Sequence, residues 1–176
     1  RACAREALAA LDRPPQAILA GPSGEPLWPS GIVGSITHCD GYVACALARS
    51  EELRSLGVDA EPNLPLPDGL IDDIAVPEER PMLADLSHRH PGPHWDRLLF
   101  SIKESIYKAW FPLAGRRLGF EDATVAIDPT GQTFSARLLL PGPRLDGRQL
   151  RGFQGRWLVA DDILLAAVVL PSGPRR

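Results

Sequence analysis

Phe100–Trp110 reads F-S-I-K-E-S-I-Y-K-A-W, the heart of a run from Trp95 to Phe111 whose periodicity decides the fold. Trp95, Leu98/Leu99, Ile102, Ile106 and Ala109/Trp110 recur at i, i+3/i+4 and i+7, which lays an apolar stripe along one side of an α-helix. Pro112 lacks a backbone N–H, so the helix is expected to end there or in its last turn. Glu104 and Lys108 stand i, i+4 beside Phe100, Tyr107 and Phe111, off the stripe, so the helix carries a second apolar-bearing face. By itself such a Glu-to-Lys pair is an ordinary surface pair, worth about 0.3–0.5 kcal/mol. It gains interest because Lys103 and Lys108 are the only lysines among 19 Lys and Arg residues.

Beyond this helix come β-prone runs at Ala123–Ile127, Phe134–Leu140, Arg156–Ala160 and Ile163–Leu170, the last two joined by Asp161-Asp162 as a tight hairpin turn. Before it, residues 67–94 are rich in proline and read as a connector, with a short helix near Glu78–Leu86. Nearer the start, Arg1–Leu11 is helical and is ended by Pro14-Pro15, and Gly21–Pro29 reads as irregular and turn-rich. Ile32–Cys39 and Tyr42–Ala48 flank Asp40-Gly41, a strong hairpin signal. Ser50–Arg54 reads as a helical turn, and Leu56–Ala60 as a short strand stopped by Pro62. Each half therefore runs helix, then antiparallel strands. The expectation is an α+β fold of two pseudo-symmetric lobes, residues 1–66 and 95–176, each a helix packed on antiparallel strands. Arg1 opens in mid-pattern without a methionine, so the first lobe is expected to continue upstream.

Composition narrows the function. With 176 residues, 44% hydrophobic and 23% charged, the chain can build a core and is no disordered tail. A net charge of −3 lacks the basic footprint of a dedicated nucleic-acid binder, so an anionic ligand must be held locally. Cys3, Cys39 and Cys45 show no C-x-x-C spacing, and no signal-peptide pattern opens the chain, so a cytoplasmic setting is expected. The apolar run Ile163–Leu170 falls far short of the ~20 residues that span a bilayer.

Three pieces carry chemistry. In L-G-V-D-A-E-P, Asp59 and Glu61 lie two apart on a strand, which sends both carboxylates to one face, where they want a cation. An exposed edge strand with two solvated acids is the plain alternative. Glu104 on the helix offers a third hard oxygen ligand, and such a set suits Mg²⁺, which binds through a few carboxylates plus substrate phosphates; Mn²⁺ suits the same ligands. Lys103 and Lys108 can answer phosphate charge. In G-S-I-T-H-C-D-G-Y, the Thr37 hydroxyl and the His38 imidazole suit phosphate oxygens. A Cys39–His38 nucleophile pair is set aside, because neighbours on a strand point to opposite faces. His88, His90 and His94 form an H-x-H-x-x-x-H run in the connector without a fourth ligand in step, and a solvated loop is the better reading.

Taken together and in order, G-S-I-T-H-C-D-G-Y, L-G-V-D-A-E-P and F-S-I-K-E-S-I-Y-K-A-W resemble the signature motifs of the 4′-phosphopantetheinyl transferases, in the surfactin- and enterobactin-type branch. The resemblance extends to G-E-P-L-W-P (Gly24–Pro29) and F-P-L-A-G-R-R-L-G-F-E-D-A (Phe111–Ala123), and the wording is most similar to actinobacterial members. It implies transfer of the phosphopantetheine arm of coenzyme A to a serine of an apo acyl or peptidyl carrier protein, with release of adenosine 3′,5′-bisphosphate. It assigns Asp59, Glu61 and Glu104 to Mg²⁺, Glu104 to general-base work directly or through a water, and Lys108 to the leaving phosphate with Lys103 nearby. Thr37, His38 and Arg5 match positions that grip coenzyme A, and the Phe100/Tyr107/Phe111 face is expected to border the pantetheine arm or pack on the first lobe. Arg116 and Arg117 are expected to meet an acidic carrier helix, and the enzyme to be a monomer. Where related members often carry a lysine in the Gly21–Gly24 stretch, this chain has Ser23, with Ala20 beside it. Two other readings stand beside this one: a metal-dependent nuclease or phosphohydrolase, and an inactive carrier-binding homologue.

Overall fold

The computed structural model describes residues 2–173. Its elements in chain order are α1 (Ala2–Ala10), β1 (Leu19–Ala20), β2 (Pro26–Leu27), β3 (Ile32–Cys39), β4 (Tyr42–Arg49) and β5 (Leu53–Pro62). There follow α2 (Leu70–Ile74), a 3₁₀ turn at Pro77–Glu79, α3 (Arg80–Arg89), α4 (Trp95–Ala114) and a second 3₁₀ turn at Phe120–Asp122. The chain closes with β6 (Ala123–Asp128), β7 (Thr133–Leu138), β8 (Arg144–Leu145), β9 (Arg148–Gln149), β10 (Gly152–Ala160) and β11 (Ile163–Pro171).

An antiparallel sheet in the order β5-β11-β10-β7-β6 carries the fold, and α4 lies across it. Trp95, Leu98, Leu99, Ile102, Ile106, Ala109 and Trp110 are buried against Val125, Ile127, Phe134, Trp157, Leu164 and Val168 from alternate positions of the strands. This is period 3.6 meeting period 2. Each large side chain fully buried there contributes about 1.5–3 kcal/mol. A second, smaller core forms where Ala4 and Leu8 of α1 pack with Ile18 and Ile32, flanked by Trp28, Ile36, Cys45 and Leu47. The β3–β4 hairpin turns at Asp40-Gly41, with Gly41 at φ 71°, and the β10–β11 turn has both Asp161 and Asp162 at positive φ. Both are the short turns anticipated for those dipeptides.

Pro112 falls in the last turn of α4, one of the two places anticipated for it; the helix runs on to Ala114, and Gly115, at φ 62°, caps it by donating its N–H to the Phe111 carbonyl. Two expectations change. Ser50–Glu52 is a tight turn and Leu53 already belongs to β5, so no helical turn forms at Ser50–Arg54. Residues 67–94 hold α2, the first 3₁₀ turn and α3, and bury Ile74, Ala75, Leu83 and Leu86 in the main core. The helix anticipated near Glu78–Leu86 thus runs longer than its propensity suggested, held by tertiary packing.

β5 belongs in sequence with the first half and in hydrogen bonding with the second. It pairs with β11 from Leu53↔Pro171 to Pro62↔Ile163. Toward β3 it has no backbone ladder; side-chain hydroxyls substitute. Ser35 Oγ accepts from the Val58 N–H at 3.0 Å, and Thr37 Oγ1 accepts from the Ala60 N–H at 2.9 Å. The matched two-residue steps mean that β3 and β5 run in the same direction.

Candidate active site

The site lies where β5 meets α4, and a missing side chain puts it there. A Cβ on Gly57 would stand 1.9 Å from the Ser105 carbonyl oxygen and 2.8 Å from the Ala109 nitrogen. Only glycine lets the strand touch the helix backbone. Ser55 fastens the same contact by donating its hydroxyl to the Ala109 carbonyl at 2.7 Å. Two residues beyond Gly57 on the same face is Asp59, and two beyond that Glu61.

Asp59 is 5% exposed. Its Oδ1 accepts from Lys108 Nζ at 2.7 Å and from the Thr37 hydroxyl at 3.2 Å, and Lys108 also donates to the Val58 carbonyl at 3.2 Å. Its Oδ2 is buried without a hydrogen-bond partner among the described residues. A buried carboxylate oxygen left so costs a large desolvation penalty unless a cation or donor arrives. Glu61 accepts from Arg97 Nη1 at 3.0 Å, while the same guanidinium donates to the Leu64 and Pro65 carbonyls at 3.2 and 2.8 Å.

Glu104 faces this cluster from α4. Burial, then the charge of Asp59, pushes its carboxyl above the usual carboxylate range; Lys108 pulls it down, Glu61 adds to the rise, and Arg117 opposes it. Burial and Asp59 likewise raise Glu61, against the hydrogen bond and charge of Arg97. Three acids thus strain against one another around one buried unpaired oxygen. Among the described residues no group of three or more His, Cys, Asp or Glu side chains stands placed to hold a metal ion. Lys108 instead occupies Asp59 Oδ1 and Arg97 occupies Glu61 Oε2. In donor chemistry and charge the set fits a hard divalent cation.

Beside Glu104 opens a cavity of about 250 Å³ lined by Glu104, Tyr107, Arg117, Leu118, Phe120 and Ala123 among others. Tyr107 packs its ring on Phe111 at 5.9 Å, and Phe100 packs on Phe120 at 5.9 Å. The second aromatic face of α4 therefore borders a space as well as packing within the fold.

Two family profiles match this chain: the 4′-phosphopantetheinyl transferase N-terminal domain over residues 1–48 and the 4′-phosphopantetheinyl transferase superfamily over residues 55–159. The chain belongs to the 4′-phosphopantetheinyl transferase superfamily. It is 51% identical over 175 residues to the 4′-phosphopantetheinyl transferase Svp of Streptomyces mobaraensis, covering 98% of this chain and 71% of that one. It is 50% identical over 175 residues to the 4′-phosphopantetheinyl transferase PptT of Mycobacterium tuberculosis, covering 97% and 76%. Enterobactin synthase component D of Salmonella typhi is more distant, 36% identical over 97 residues, covering 51% and 37%. The resemblance drawn from the three motifs, and the α+β fold it implied, hold for this transferase.

The residues anticipated for the transferase site divide once they are placed. Asp59, Glu61, Glu104 and Lys108 come together. Thr37, expected at a phosphate, is instead 1% exposed with its hydroxyl committed between the Ala60 N–H and Asp59, so here it buttresses an acid. Lys103, also expected at phosphate, is 4% exposed. Its ammonium reaches Glu79 at 2.9 Å and donates to the carbonyls of Ile74, Phe120 and Ala123 at 2.9, 2.8 and 3.1 Å. A fully partnered buried ammonium has nothing left for a ligand phosphate. Burial lowers its pKa, and the Glu79 hydrogen bond and charge oppose the fall. His38 and Arg5 are exposed at the end of β3 and on α1. Burial, then Glu61 and Asp59, raises the Cys39 thiol, which keeps it from acting as a thiolate and agrees with setting aside the Cys–His pair. His90 lies edge-on to Trp95 and His94 precedes the first turn of α4, so this histidine run serves packing and helix entry. Arg116 is held over the Trp110 ring at 5.4 Å and donates to the Pro141 carbonyl at 2.7 Å, while Arg117 is exposed at the cavity.

Sequence reasoning missed Arg97 and Glu79. The first was within reach: 97, 104 and 108 are seven and four apart, one face of one helix. For Glu79, in V-P-E-E-R, nothing local separates a buried acid from the solvated one beside it.

Proposed function

We propose that this phosphopantetheinyl transferase moves the phosphopantetheine arm of coenzyme A to a serine of an apo acyl or peptidyl carrier protein, with Mg²⁺ as its metal. The observation that carries the mechanism is the buried, unpartnered Asp59 Oδ2, set among Glu61, Glu104 and Lys108. Asp59, Glu61 and Glu104 would hold the ion, which when bound supplies positive charge to the pyrophosphate.

The chain's own residues account for the rest. Glu104, made more basic by burial and by Asp59, takes the proton from the carrier serine, directly or through a water. The serine oxygen forms a bond to the phosphorus that carries pantetheine, and the bond from that phosphorus to the adenosine 3′,5′-bisphosphate oxygen breaks. Lys108, anchored at Asp59 and the Val58 carbonyl, stands where charge develops on the departing phosphate. Thr37 holds Asp59 in place. The cavity beside Glu104, with Tyr107 and Phe120 on its walls, receives the pantetheine arm. His38 and Arg5 meet the nucleotide phosphates, and Arg117 meets the carrier. A monomer in the cytoplasm suits these substrates.

The test is intact-mass spectrometry of an apo carrier protein incubated with the enzyme, coenzyme A and Mg²⁺. The carrier is expected to gain one phosphopantetheine with the native enzyme and none with Glu104→Ala. Modification that proceeds equally with Glu104→Ala would overturn the assignment of the base.

A further inference from the structure

On the side of α4 away from Asp59, a second carboxylate and lysine meet. Glu79 and Lys103 have side chains 0% and 3% exposed, with Oε2 and Nζ 2.9 Å apart. Every group is used. Glu79 Oε2 also accepts the Val76 N–H at 2.9 Å, and Oε1 accepts the Val125 N–H at 2.7 Å. Lys103 donates to the carbonyls of Ile74, Phe120 and Ala123. One ion pair thus ties the end of α2, the first 3₁₀ turn, the second 3₁₀ turn and the start of β6 to α4, at the residue next to Glu104. Burying two charges is a poor way to gain stability, because their desolvation costs several kcal/mol and apolar residues of like volume do as well or better. What it does supply is direction, since each bond fixes a particular backbone atom at a particular distance.

The segment so fixed is a wall of the cavity. Phe120 and Ala123, whose carbonyls Lys103 holds, line it together with Glu104 and Tyr107. We infer that Glu79 and Lys103 form a positioning pair, which holds the Phe120–Ala123 wall against Glu104 and thereby sets affinity for the pantetheine arm while leaving the nucleotide end of coenzyme A unaffected. The inference rests on the proposal that the cavity takes that arm. Glu79 is not among the residues that line the cavity, and Lys103, which does line it, has its ammonium turned to Glu79 and to three carbonyls, so both act by holding the Phe120–Ala123 wall.

Calorimetric titration of the full chain with coenzyme A, and separately with adenosine 3′,5′-bisphosphate, which lacks the arm, tests this. Glu79→Gln keeps the side-chain shape and removes the charge. It is expected to weaken coenzyme A about fivefold to tenfold while the bisphosphate Kd stays within about twofold. Phe120→Leu trims the wall without touching the buried charges, so it reports even if Glu79→Gln fails to fold, and it should show the same selective loss. Equal weakening of both ligands by Glu79→Gln, or an unchanged coenzyme A affinity in Phe120→Leu, overturns the positioning pair. Native enzyme that binds coenzyme A no more tightly than the bisphosphate overturns the cavity assignment itself, and the pair's role with it.

Discussion

Helix α4 carries two lysines five residues apart, and each meets one carboxylate from elsewhere in the chain. Lys103 and Glu79 are closed: neither side chain is more than 3% exposed and every oxygen and proton is matched. Lys108 and Asp59 are open: the lysine side chain is 26% exposed, and one carboxylate oxygen of Asp59 is buried without a partner. The same residue types, donated by the same helix, therefore do different work. The closed pair spends its charge inside the fold, and the open pair keeps charge for something that arrives. The partner count distinguishes a structural ion pair from a reactive one.

The contrast can be broken most easily at the open end. Asp59→Asn or Glu104→Ala should lower the rate of carrier modification by about 10²–10⁴-fold, read as kcat/KM in a coupled or mass-spectrometric assay. Glu104→Ala should leave folding little affected, because it removes one of three acids that repel one another, whereas Asp59→Asn also gives up the charge that holds Lys108. A melting temperature that falls with activity in Glu104→Gln would mean the open cluster is structural after all.

At the closed end the expected effect is on stability. Lys103→Met leaves Glu79 charged and buried, at a cost of about 3–5 kcal/mol, visible as a large drop in calorimetric Tm. If Lys103→Met melts with the native protein, the closed pair contributes neither fold nor position.

The smallest effect is a dependence on pH. Glu104 has a folded-state pKa above its unfolded value, so the folded protein binds the extra proton and stability from this group is lost as pH rises through the folded pKa. In the metal-free protein Glu104→Gln should therefore melt above native at neutral pH, on the order of 2–4 °C. The gap should close as pH falls toward the ordinary carboxylate range. Mg²⁺ added at neutral pH should narrow it by stabilising the native carboxylates. A gap that widens on acidification would reverse the assigned direction.

Much of this was legible in the chain. The 3.6-residue stripe of Trp95–Trp110 marked α4, Asp40-Gly41 and Asp161-Asp162 marked two hairpins, and the D-x-E spacing put Asp59 and Glu61 on one face. These are local properties, since helix period, strand period and turn chemistry act over a few residues. Glu104 and Lys108 were readable for the same reason, being one turn apart.

Where two elements touch was another matter. Gly57 reads as any glycine in a strand until the Ser105 carbonyl is found against its missing Cβ. Thr37 and Lys103 both looked available for phosphate because a sequence shows a side chain's donors without their partners; the partners, Asp59 and Glu79, lie 22 and 24 positions away. Sequence alone determined which groups this transferase possesses and the periodicity that arrays them. Only the tertiary structure decided which of those groups are spent and which are left over, because hydrogen-bond satisfaction depends on distant chain segments meeting in space.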